Sequence, residues 1–317
     1  MLNDDLQQTA PTRTIIGNAL KELLQNHDNI WLVTPDFGGY VSDIKKQHAN
    51  RFIDVGIAEQ TAVGVAAGLA LDGNIPYVLG MAPFLSMRSC EQVRTAVCYH
   101  NLPVRFIATN SGTATNAGST HYGMEDIAIV KSIVNMSVVS ISDPNMIGEM
   151  LRTSVDYPGP VYFRLARGRE DPVIYKPGTV DFKIGKSVHI KEGSDVVFFS
   201  HGEMVVEAIK AARELEKEGI HAGIYDMYSI KPVDINAIRH AAAETDHILV
   251  LEDHLMDGGL ASSIADVLVN EGICPKVFKR LGVPQVYPGF GGTEIRKKYG
   301  FDAAAAVAAV RAMMLSQ

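Results

Sequence analysis

Glu59 stands in the run Gly56-Ile57-Ala58-Glu59-Gln60, ahead of Thr61-Ala62-Val63-Gly64-Val65-Ala66-Ala67-Gly68-Leu69-Ala70, a segment made almost entirely of small residues. The spacing predicts a helix that opens near Glu59. A carboxylate in a first helical turn is favoured by the helix dipole by roughly 0.3 to 1 kcal/mol, which alone accounts for most such residues. Gly64 and Gly68 each cost a helix about 1 kcal/mol relative to alanine, so their presence implies that another backbone comes close to that face. A buried carboxylic acid can do more, because burial raises its pKa and lets it share a proton with a weakly basic nitrogen. Asp is a methylene shorter, and Gln donates a hydrogen bond without transferring a proton.

Four further residues carry chemistry. His121 closes a stretch of small polar residues, Ser111 to Thr120, suited to close approach of a ligand, whereas the other nine of the ten histidines have no comparable setting. Phe84, in Pro83-Phe84-Leu85, is either a core aromatic or a stacking platform. Arg164 and Arg167, in Tyr162-Phe163-Arg164-Leu165-Ala166-Arg167-Gly168, are placed to form an interdomain salt bridge or to grip an oxyanion.

The elements that must position these residues are short apolar runs separated by helical segments. Trp31 to Val33, Phe52 to Val55, Tyr77 to Leu79, Val104 to Ala108, Val138 to Ile141 and Val161 to Phe163 read as buried parallel strands. Strands alternating with helices predict a mainly parallel sheet covered on both faces, an α/β domain over residues 1–175. A polar, Pro-containing stretch follows, with the linker placed at 176–186, and a second α/β domain is expected over 187–317. Its strands are Val196 to Phe199, Ala222 to Tyr225 and Ile248 to Glu252, and its first helices are Met204 to Glu218 and Val233 to Glu244. Gly219 and Gly272 fall where helix caps in the left-handed conformation are expected.

Bulk properties agree with two cores. The chain has 317 residues, 47% of them hydrophobic, which suffices for about two domains. A net charge of −7 with no Lys/Arg cluster argues against nucleic acid or an acidic membrane surface as partner. The cysteines, Cys90, Cys98 and Cys274, are odd in number and lack C-x-x-C spacing, which fits a reducing cytoplasm. No signal-like leader and no apolar run of roughly 18 residues is present, so a soluble, unexported chain is expected.

The segment Asp54-Val55-Gly56-Ile57-Ala58-Glu59-Gln60 with its Gly/Ala helix resembles the pyrimidine-domain signature of transketolases. In that family the glutamate hydrogen-bonds N1′ of the thiamine diphosphate aminopyrimidine and promotes its imino tautomer, and the resemblance gives this role to Glu59. Pro83-Phe84-Leu85 followed by Arg88-Ser89-Cys90-Glu91-Gln92-Val93-Arg94 is similar to the segment whose phenylalanine stacks on that ring, which implies Phe84, with Met87 beside it. Gly118-Ser119-Thr120-His121-Tyr122-Gly123-Met124-Glu125-Asp126 resembles the loop whose histidine contacts substrate oxygens, and makes His121 a catalytic and substrate-binding candidate. Arg164-Leu165-Ala166-Arg167-Gly168 is similar to the family's Arg-x-x-Arg-Gly, whose second arginine binds substrate phosphate, here Arg167. Thr34-Pro35-Asp36-Phe37-Gly38-Gly39 stands in the place of a site-rim loop, with Asp36 as candidate. Tyr228 to Asp234 and Leu251 to His254 resemble the transketolase C-terminal domain.

Departures matter as much. Asn116 and Ala117 stand where complete transketolases carry an acid facing the aldose acceptor, and Asn110 replaces a loop arginine of deoxyxylulose-phosphate synthase. The Gly-Asp-Gly motif with a later Asn, which holds Mg2+ and the diphosphate, is missing. Leu71-Asp72-Gly73-Asn74 reads instead as a helix-ending turn, and Met256-Asp257-Gly258-Gly259 lacks the leading glycine. The resemblance thus implies the second half of a split transketolase, acting in carbohydrate metabolism on sugar phosphates. A diphosphate-binding subunit would hold Mg2+ in an α2β2 heterotetramer. Alternatives are the β subunit of a two-oxo-acid dehydrogenase, a synthase-like enzyme and a non-catalytic scaffold.

Overall fold

Two mainly parallel sheets, with helices on both faces of each, frame the molecule. The structure is a computed structural model that describes residues 1–3, 6, 8–37, 39, 41–113, 117–166, 171–289, 292 and 294–315. In chain order the first half runs β1 (Thr9–Ala10), α1 (Thr12–Asn26), β2 (Ile30–Thr34), α2 (Ser42–Gln47), β3 (Phe52–Asp54), α3 (Glu59–Leu71) and β4 (Ile75–Met81). A wide helical segment follows, Phe84–Arg88, α4 (Cys90–Gln92) and Val93–Cys98. Then come β5 (Arg105–Thr109), α5 (Asp126–Lys131), β6 (Ser137–Ser140), α6 (Pro144–Thr153) and β7 (Val161–Arg164). After β8 (Asp171–Pro172), the second half contributes β9 (Val188–Lys191), β10 (Val196–Ser200), α7 (Met204–Glu216), β11 (Ala222–Asp226) and β12 (Ser229–Lys231). It ends with α8 (Ile235–Glu244), β13 (His247–Leu255), α9 (Leu260–Asn270), β14 (Val277–Val283), α10 (Glu294–Tyr299) and α11 (Ala303–Leu315).

The first sheet has the order β12-β6-β7-β5-β4-β2-β3 and the second β14-β13-β10-β11-β9. The fold is α/β in both halves, as expected from the alternating runs. Alternation along each strand divides the core: Val33 and Val78 share one cluster with Ala62, Val63 and Ala66 of α3, whereas Leu32, Tyr77 and Leu79 belong to the other, with Ile16, Leu20 and Leu23 of α1. Gly219 and Gly272 take φ of 77° and 68°, the left-handed caps expected just past α7 and α9. Asp72-Gly73-Asn74 does close α3, with the Asn74 N–H donating to the Leu69 carbonyl at 3.0 Å.

Two features lie outside the strand pattern read from the sequence. β9 and β12 are short antiparallel edges, and β12 comes from the second half yet pairs with β6 of the first sheet, Ser229 opposite Val139. Within the first half, β1 pairs antiparallel with β8, Thr9 opposite Pro172. No helix among the described residues is long and apolar enough to cross a membrane.

At the junction of the sheets Arg164 is buried, its side chain 1% exposed. Its Nε donates to both carboxylate oxygens of Asp126 at 3.0 Å, and its Nη1 donates to Asp253 at 2.9 Å. Nη2 reaches the carbonyls of Gly123 and Asp253, both at 3.3 Å. Burial alone would lower the guanidinium pKa, but the Asp126 and Asp253 carboxylates more than offset it and hold it above its ordinary value. Of the two readings open for Arg164, the salt bridge between halves is the one the structure shows.

Candidate active site

Four loops rise from the ends of β2, β3, β4 and β5, which are mutually parallel, so they cluster at one edge of the sheet. That edge is the carboxyl end of the strands, where open α/β sheets bind ligands. Beyond β3 the chain turns at Gly56, whose φ of 69° is accessible to glycine at little cost. The Asp54 carboxylate fixes this turn by accepting from the Gly56 N–H at 3.1 Å, and ties it to the loop after β2 by accepting from the Asp36 N–H at 3.0 Å. Glu59 then enters the first turn of α3 with 3% of its surface exposed.

A carboxylate so enclosed needs a counter-charge or a proton. The Arg88 Nη1 donates to Glu59 Oε2 at 2.5 Å. Arg88 belongs to the helical turn Phe84–Arg88, which widens to π geometry where the Ser89 N–H bonds the Phe84 carbonyl at 3.3 Å. Such turns recur at functional sites because they re-aim side chains. Here the Arg88 guanidinium lies 4.4 Å from the Phe84 ring centroid, and that ring meets the His121 imidazole edge to face, with centroids 5.4 Å apart at 75°. Glu59, Arg88, Phe84 and His121 therefore form one continuous cluster contributed by three loops.

The His121 loop is held by close approach. A Cβ on Gly123 would stand 2.9 Å from the Ala82 Cβ and 3.1 Å from the Ser111 Cα, so only glycine lets this loop lie against the end of β4. The His121 N–H donates to the Gly118 carbonyl at 2.9 Å, and Nδ1 sits 2.9 Å from the Thr120 hydroxyl. From the second half of the chain, the carbonyl of Pro288 accepts from Ser119 and that of Gly289 accepts from Tyr122 at 3.0 Å.

Three of the residues singled out by sequence, Glu59, Phe84 and His121, thus come together. Met87 stands in the same turn as Phe84, 44% exposed. Asp36 is separate from the cluster's contacts and lines, with Arg13, Thr14, Phe37 and Gly39, a cavity of about 480 Å3. Arg167 lies outside the described residues. Sequence reasoning missed Arg88 as a partner of Glu59. The i, i+4 spacing of Phe84 and Arg88 permits their contact but does not single Arg88 out as the partner of Glu59.

Chemically, the cluster offers a recessed carboxyl group beside an aromatic ring, with an imidazole in T-shaped contact with that ring. This suits a flat nitrogen heterocycle that stacks on Phe84 while one ring nitrogen shares a proton with Glu59. Among the described residues, the group of three His, Cys, Asp or Glu side chains able to converge on a cation is His189, Glu192 and Glu244, in the second half.

Residues 8–170 match the family model of the transketolase pyrimidine-binding domain, and residues 185–305 that of the transketolase C-terminal domain. The chain is 36% identical over 294 residues to an apulose-4-phosphate transketolase subunit of Phocaeicola vulgatus, covering 92% of this chain and 93% of that one. It is 35% identical over 291 residues to a putative transketolase C-terminal section of Methanocaldococcus jannaschii, covering 90% of each. 1-Deoxy-D-xylulose-5-phosphate synthase 1 of Geobacter sulfurreducens is 34% identical over 307 residues, but these span 96% of this chain and only 48% of the synthase. A solved split-gene transketolase, in an inactive β4 tetramer, superposes with a TM-score of 0.85 at 35% identity, covering 96% of this chain and 97% of that one. On these grounds the chain belongs to the transketolase family, as a subunit of the kind that carries the pyrimidine-binding and C-terminal domains.

Proposed function

We propose that this chain is the pyrimidine-binding subunit of a thiamine-diphosphate-dependent transketolase, which moves a two-carbon ketol unit from a ketose phosphate to an aldose acceptor. The observation that carries the reading is the convergence of Glu59, Phe84 and His121 at one sheet edge. When bound, thiamine diphosphate would supply the carbon nucleophile that accepts the ketol unit. Glu59 holds and moves the proton at N1′ of the aminopyrimidine, and its burial keeps water from competing for that proton. Phe84 fixes the plane of the ring, with Met87 beside it. His121, in T-shaped contact with Phe84, binds substrate oxygens and Arg167 takes the substrate phosphate, while Asp36 contributes from the loop after β2, which Asp54 ties to the Gly56 turn.

Mg2+ and the diphosphate are held by a separate subunit, in an α2β2 assembly. The outer face of α3 suits that contact: Gly64 and Gly68 are exposed, a Cβ on either would meet nothing within 4 Å, and Ile57, just ahead of the helix, is 75% exposed. A small-residue face of this kind lets a partner backbone approach closely. The solved relative of this half is inactive as a β4 tetramer, in keeping with a need for a second kind of subunit. A synthase-type reaction is the second reading, favoured by the synthase similarity and weakened by Asn110 in place of the loop arginine.

The test is to purify the chain with a diphosphate-domain subunit and measure thiamine diphosphate and Mg2+ binding, then ketol transfer between sugar phosphates. Cofactor binding without ketol transfer would sink the transketolase reading. Formation of 1-deoxy-D-xylulose 5-phosphate would promote the synthase, and activity with lipoyl acceptors the dehydrogenase.

A further inference from the structure

An aminopyrimidine bound at this site would need two things from the chain, a hydrogen bond to the Glu59 carboxyl and the face of the Phe84 ring. Arg88 already engages both. Arg88 donates to Glu59 Oε2 at 2.5 Å, and its guanidinium carbon stands 4.4 Å from the Phe84 centroid. A guanidinium is flat, stacks on aromatic faces and presents N–H donors in its own plane. Those are the properties by which a stacked heterocycle would be recognised here. A heterocycle stacked on that same face and bonded to that same oxygen would overlap the guanidinium.

We propose that Arg88 is a placeholder for the aminopyrimidine, filling the ring's seat between Glu59 and Phe84 in the cofactor-free subunit and giving it up when the cofactor docks. The inference rests on the cofactor reading above. Two further observations support it. The exposure is asymmetric: the Glu59 side chain is 4% exposed and the Arg88 side chain 43%, so the acid is fixed in the floor while the arginine reaches in from the rim. Leaving therefore requires only rotation about the arginine's own side-chain bonds, with its head passing into solvent. The occupancy also has a use, because an unpaired buried carboxylate is strongly disfavoured and Arg88 neutralises it until the cofactor arrives. The consequence is a lowered apparent affinity, since only the fraction of molecules with Arg88 swung away can accept the ring.

The experiment titrates Mg2+–thiamine diphosphate into the complex with the diphosphate-binding subunit, by calorimetry for affinity and by stopped-flow circular dichroism for association rate. Wild type, Arg88→Ala, Arg88→Gln and Arg88→Lys are compared, with no substrate present. Arg88→Ala and Arg88→Gln are expected to bind about tenfold more tightly and to associate faster, with Arg88→Lys in between because it keeps the charge and loses the flat face. Unchanged or weaker binding in both uncharged variants overturns the proposal. Should they fail to assemble, the wild-type complex decides: a crystal structure of the loaded form with Arg88 off the Phe84 ring upholds it, and one with Arg88 still on that ring overturns it. Absence of cofactor binding in wild type and variants alike would instead remove the cofactor reading beneath.

Discussion

Two arginine–carboxylate clusters in this chain look alike in composition and differ in enclosure. At the sheet junction Arg164 is 1% exposed, Asp126 0% and Asp253 2%, and the arginine has five hydrogen bonds across both halves. At the strand-end cluster the acid is as deeply set, but its arginine is 43% exposed and its one ion-pair bond is to Glu59. The first is closed on every side and can only hold; the second keeps one movable member. An ion pair serves as structure when both partners are sealed, and as a site when one of them can be exchanged.

Mutations at the two clusters should therefore separate activity from stability. Glu59→Gln is expected to cut kcat roughly a hundred- to ten-thousandfold with the urea midpoint and subunit assembly unchanged, checked by steady-state kinetics beside denaturation. Near-normal turnover in that variant would remove the central assignment and favour a scaffold role. Arg164→Ala should destabilise the chain by about 3 to 5 kcal/mol, because Asp126 and Asp253 are left buried without a cation. Chemical denaturation reads this directly, and a loss of activity without a loss of stability would contradict the contrast.

Asp226 sharpens the same point through pH. Burial raises its pKa to about 7, against the opposing hydrogen bonds from Ser142 and Tyr175. A folded-state pKa above the unfolded value means that folding favours the protonated acid. That stabilisation is complete below about pH 4 and is lost as pH rises toward 7. Asp226→Asn cannot ionise, so the wild type should lose stability relative to it over this window, on the order of 3 kcal/mol, in urea titrations at a series of pH values. Asp171, raised to about 7 by burial and by Glu203, acts in the same direction in both proteins. The smallest effect belongs to the exposed pair Arg152 and Glu22, 3.3 Å apart and each about half exposed: Arg152→Ala should shift stability by less than about 0.5 kcal/mol.

Much of this arrangement is legible in the sequence. β2, β4, β5 and β7 are largely apolar because both faces of the sheet are covered, and burial on two sides leaves a plain mark in composition. Glu59, Phe84 and His121 are marked by residue type in an unusual local setting. Arg88 is not, because an exposed-looking arginine on a helix reads as a solvated charge until its neighbours in space are known. β12 escapes for a related reason: Ser229-Ile230-Lys231 has one strongly apolar residue, and an edge strand needs no more. The Arg164 junction depends on Asp126 and Asp253, which local sequence patterns do not relate to one another.

The pairing of β12 with β6 has a consequence for how the chain can be divided. A fragment cut between the two halves would leave β6 with a row of unsatisfied backbone donors and acceptors, open to the next strand it meets. What reads as two modules along the sequence is thus a single folding commitment, in which the later half completes the earlier one and guards it against self-association.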